Sequence, residues 1–171
     1  MKNIFFMVTL FFWIFCSVSY GESAKEAFRG LKKLEARCQA GISYKDYGAA
    51  LGDAKFEVNI FLESPEAKAR PQLTDSIIRA MMHYENARHF WEYKFSGYSR
   101  NYPEILPYFV EEEVFRIYPE ANKEYKDGGA LMRMKEYDPE STKVHISCLL
   151  SFIWNEASKE LKKAAELLAQ K

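Results

Sequence analysis

Apolar residues recur three and four positions apart along most of this chain, the spacing that gathers them on one face of a helix. The expectation is an all-α fold, an antiparallel helical bundle of four to five helices. A first helix is expected from about Ser23 to Cys38, with Ala24, Ala27, Leu31, Leu34 and Cys38 inward, Phe28 at the edge, and Gly41 as its stop. Ser43 reads as the N-cap of a second helix, with Asp46 three residues on. Its inner stripe is Tyr44, Tyr47, Leu51, Ala54, Val58 and Phe61.

Ser64, Pro65 and Pro71 break that helix, and a third starts near Pro71, where proline is tolerated in a first turn. Ile77, Met81, Tyr84, Trp91 and Phe95 form its stripe, widened by Ala80 and Ala87, and it should end by Gly97. A fourth helix is expected from about Pro103 to Ile117, followed by an irregular connection through Gly128 and Gly129. Asp138 then reads as the cap of a fifth helix burying Ile146, Leu150, Ile153, Ala157, Leu161, Ala164 and Leu168.

The chain opens differently. Lys2 precedes a twelve-residue run, Ile4 to Phe15, that is apolar except at Thr9, and mostly small residues follow from Ser17 to Gly21. This is the pattern of an export signal, with cleavage after Ser19 or Gly21. A membrane span needs about 18 apolar residues. Even Ile4 to Val18 supplies only fifteen, so no stable membrane insertion is expected once the signal is removed. Acylation at Cys16 would want a small residue before it, where Phe15 stands. Residues 1–21 are therefore expected to be a signal peptide and 22–171 a single helical-bundle domain, periplasmic or secreted.

Export changes the meaning of two other features. The leader holds one of the chain's 24 Lys plus Arg and none of its 24 Asp plus Glu, which leaves 23 against 24 and a net charge near minus one. Such a balance gives no long-range field to attract nucleic acid, which is not an expected partner. Of three cysteines, Cys38 and Cys148 remain after the leader. Two thiols in an oxidising compartment usually pair, so a Cys38–Cys148 disulfide is expected. Short links between the first three helices would put Cys38 and the end of the third at one pole, and the bridge would require Cys148 there too.

No motif names a reaction. Glu85, His89 and Glu92 stand four and three apart on one helix face and form the best candidate metal set. A haem held by Met81 or Met82 and a histidine is conceivable, but no CxxCH attachment signal occurs, and no cofactor is expected. Glu63 and Ser64 near a helix end resemble the catalytic Glu motif of lytic transglycosylases, and Gly129 to Met132 resembles that family's Gly, Leu, Met segment. The resemblance would imply a cell-wall hydrolase. In that family the two segments are close, whereas about 65 residues separate them here, so Glu63 does not inherit the role of general acid.

The functional expectation rests on aromatic residues. Twelve fall between Tyr84 and Tyr125, more than one helix face can bury. Tyr93, Tyr98 and Tyr102, at a helix end and in the loop beyond, are expected to line a contact surface for a partner protein or a small apolar ligand. Binding without catalysis is the expected function. A metal- or haem-binding bundle comes second and a hydrolase third.

Overall fold

The computed structural model describes residues 22–95, 106, 108–121 and 144–170. Its helices are α1 (Glu22–Gln39), α2 (Tyr44–Glu63), α3 (Pro65–Ala69), α4 (Pro71–Glu92), α5 (Tyr108–Ile117) and α6 (Ile146–Ala169). No strand occurs among the described residues, and the all-α bundle expected from the spacing is what forms.

Local chemistry explains the ends around α2. Gly41 leaves α1 with φ of +86°, a left-handed conformation that a side chain would strain. Ser43 caps α2, its Oγ accepting the Asp46 amide at 3.2 Å. Ser64 does two jobs. Its amide and hydroxyl donate to the Phe61 carbonyl at 2.9 and 2.6 Å, closing α2. Its Oγ accepts the Ala67 amide at 3.4 Å, opening α3 with Pro65 in the first turn. The stretch read from sequence as a plain break therefore contains one short helix.

Four long helices form the core. α1 packs on α2 and α4 on α6, while α2 with α4 and α1 with α6 close the square. Neighbours run antiparallel: Ser23 meets Ser64 across α1 and α2, Lys55 meets Glu85 across α2 and α4, and Arg70 beside α4 reaches Leu167 of α6. Every residue expected inside α1 is buried, as are Tyr47, Leu51, Ala54, Val58 and Phe61 of α2. At Gly30 the backbones of α1 and α2 come close enough that a Cβ would lie 3.4 Å from Ala54 Cα. α5 leans on this core, burying Val110 and Val114 and ending at the buried Tyr118.

Three expectations need correction. Phe95 is 59% exposed, because α4 stops at Glu92 and the turn beyond it carries the ring outward. Phe90, absent from the expected stripe, is wholly buried. The last helix begins at Ile146: His145 is extended, at φ −86° and ψ 130°, so Asp138 cannot cap it, and residues 138–143 lie outside the described set. Its expected inner residues are buried through Ala164, while Leu168 is half-buried. No helix among the described residues is long and apolar enough to cross a membrane. Residues 1–21 and 103–105 and the connection through Gly128 and Gly129 also lie outside the described set.

Candidate functional site

Aromatic side chains from three helices converge where α1 ends, α2 begins, α4 ends and α6 begins. The hub is Tyr47, fully buried on α2. Its hydroxyl donates to the Tyr84 carbonyl of α4 at 2.8 Å and accepts the Trp154 indole N–H of α6 at 3.4 Å. Trp91 packs on Tyr47 at 5.5 Å between ring centroids and on Trp154 at 5.8 Å, edge to face. Tyr44 stands against Trp91 at 5.6 Å and Phe95 at 4.8 Å, so the cluster grades from a buried centre to a half-buried and then open rim. These spacings are those at which ring pairs attract beyond simple burial.

A second row lies on the α5 side. Tyr93, half-buried, meets His89 at 5.5 Å and Phe109 at 6.2 Å, both edge-on, and Phe109 is 54% exposed. Of the three tyrosines expected to line a contact surface, Tyr93 is thus in an aromatic row, while Tyr98 and Tyr102 lie outside the described residues. Sequence reasoning missed Tyr44, Tyr47 and Trp154 as members of this pole. The available signal was that Tyr44 and Tyr47 open the α2 stripe at the level where α4 ends.

The metal candidate does not assemble. Glu85 pairs with Lys55 at 2.6 Å, His89 Nε2 lies 3.6 Å from Glu113, and Glu92 is exposed. No three such ligands converge among the described residues. The three residues share a face, but each of the first two turns to a different neighbouring helix. Met81 is buried in the core, whereas Met82 is 44% exposed. Glu63 is exposed at the last turn of α2, and Gly129 to Met132 lie outside the described residues.

Cys38 and Cys148 are both free thiols, so the expected disulfide is not formed. The antiparallel order does place both at the aromatic pole. Cys38 faces the core, whereas Cys148, two residues beyond the buried Ile146, sits half-buried off that stripe. Burial, with help from Glu35, pushes the Cys38 thiol up to about 12, so it is not a nucleophile near neutral pH. Burial likewise raises the phenols of Tyr47 and Tyr84, and holds Tyr118 near about 12. The buried Cys38 thiol and the Tyr47 and Tyr84 phenols therefore stay protonated.

One histidine is shifted by its surroundings. His83 Nδ1 lies 3.0 Å from the Tyr118 hydroxyl, which also accepts from Asn86 Nδ2 at 3.0 Å. Burial lowers the histidine from 6.5, against the opposing pull of Glu156 and Glu160, with Arg79 and Lys159 adding to the lowering. The folded state therefore binds the proton less well than the unfolded chain does. Stability is complete above 6.5 and is lost as pH falls below it toward the lower folded value. Thermal melts across that window should show a falling Tm in the native protein, and His83→Gln should flatten that slope relative to it.

Comparison with protein-family models, curated proteins and solved structures finds no match to this chain. The fold and the site define a class only: an all-α bundle with an aromatic pole.

Proposed function

We propose that this is an exported, non-catalytic bundle protein that holds a partner protein through its aromatic pole. The observation that carries the reading is Phe95, 59% exposed at the rim of a cluster whose inner rings are fixed on Tyr47. A large ring left in solvent contributes little to folding, and this one packs against Tyr44 at 4.8 Å. An immobilised aromatic at the centre of a contact loses little entropy on binding, which is why such residues carry much of the energy of interfaces. Phe109, on the neighbouring row, offers a second outward ring. The amino-terminal pattern supports an encounter outside the cytoplasm.

Capture from the native envelope fraction tests this. Phe95→Ala should keep its Tm within about 2 °C, as surface changes usually do. Recovery of the partner should fall at least tenfold, a loss of about 1.4 kcal/mol or more. Tyr98→Ala with Tyr102→Ala should behave the same way if the surface continues into that segment. Unchanged recovery from Phe95→Ala would remove the proposal, and a large drop in Tm would reassign the ring to packing.

A further inference from the structure

Away from the aromatic pole, α1 and α2 leave a groove of about 380 Å³ along their outer side. Lys33 and Arg37 line it from α1, Asp53 and Glu57 from α2, with Phe56 beside them. None of these four charged side chains has an ion-pair partner among the described residues, although the opposite signs line one groove. Phe56 is 63% exposed, the most open large apolar residue among those described.

Gly52 is the second observation. It stands inside α2, where glycine weakens a helix relative to nearly any other residue. A close approach would justify it, as at Gly30, but a Cβ at Gly52 would meet nothing within 4 Å. Packing therefore gives no reason for a glycine there. What the missing side chain does is leave the groove open, since Gly52 is part of its lining.

Glu57 and Arg37 mark opposite ends of the groove, with Lys33 and Asp53 between them. Glu57 sits at the level of Gly30, where its Cβ lies 3.5 Å from the position a Gly30 Cβ would take. Arg37 is seven residues further along α1, or about 10 Å of helix axis. An extended chain advances about 3.3–3.6 Å per residue, so two or three residues span that interval. We infer that the α1–α2 groove binds a short zwitterionic peptide, with its ammonium end toward Glu57, its carboxylate toward Arg37, and an apolar side chain on Phe56. The volume suits a ligand of that size. This site is separate from the aromatic pole and does not depend on the function proposed there.

The probe is the tripeptide Ala-Phe-Ala with free termini, titrated into the isotope-labelled protein to about 10 mM, because exposed charges give weak binding. Saturable amide shifts are expected along α1 from Gly30 to Arg37 and along α2 from Gly52 to Glu57. Blocking both ends of the peptide, or introducing Arg37→Gln or Glu57→Gln, should weaken binding at least tenfold. Gly52→Leu should abolish binding while raising Tm, which separates filling of the groove from damage to the fold. Phe95→Ala should leave the titration unchanged. Absence of saturable shifts, equal affinity for the blocked peptide, or full binding by Gly52→Leu would each overturn the assignment.

Discussion

Tyr47→Ala should lower unfolding stability by about 3–5 kcal/mol, the range for emptying a large buried aromatic site. For a domain of this size that corresponds to a fall in Tm of roughly 10 °C or more. The expectation is high because one side chain serves three helices. Its ring supports Trp91 and Trp154, and its hydroxyl joins the Tyr84 carbonyl to the Trp154 indole. Tyr47→Phe keeps the ring and removes only the polar link, leaving the indole N–H without this acceptor. Its cost should be about 1–2 kcal/mol. Urea titration of the two variants checks both values, and equal costs would show that the hydroxyl, not the ring, dominates.

Glu66→Ala is the second large effect, expected at about 2–4 kcal/mol. Glu66 is 4% exposed, in a helix of only five residues. Its Oε2 accepts from the Ser23 hydroxyl at 3.0 Å and the Ala24 amide at 3.2 Å, so a carboxylate from α3 caps the start of α1. First-turn amides have no partner within their own helix, and the positive end of the helix dipole favours an anion there. Arg70 lies 3.4 Å from the other oxygen and is 29% exposed, so solvent screens that pair and its share is small. Glu66→Gln keeps an acceptor and should recover more than half of the loss. A denaturation midpoint for Glu66→Gln as low as that for Glu66→Ala would assign the effect to charge alone.

The helices that bury one stripe against one neighbour were legible in the sequence. Ala24 to Cys38 and Tyr47 to Phe61 read inward because burial on a helix repeats at the same three and four spacing whatever the partner is. Interactions between distant segments were not legible. Glu66 looks like an ordinary surface acid in its own helix, and only Ser23, 43 positions earlier, shows why it is buried. Glu111 is similar: it accepts the Val144 amide at 2.8 Å from a segment 33 positions later. α3 was hidden because two prolines six residues apart signal a break more strongly than one serine signals two caps.

The aromatic pole was legible in part for the same reason. Local aromatic density marked the end of α4, and Tyr93 does join a row there with His89 and Phe109. The hub itself comes from α2 and α6, whose aromatic residues are too distant in sequence to raise that local density. The metal set failed because a shared helix face does not require a shared direction. Glu85 is drawn toward Lys55 on α2 and His89 toward Glu113 on α5.

Site-specific photocrosslinking in living cells tests the aromatic pole most directly. A benzophenone side chain placed at position 95 sits on the rim, and one at Ile60, an exposed apolar position on α2, serves as control. A single discrete adduct from position 95 and none from position 60 is the expected result. No adduct from position 95, or the same adducts from both positions, would contradict a binding role for this surface.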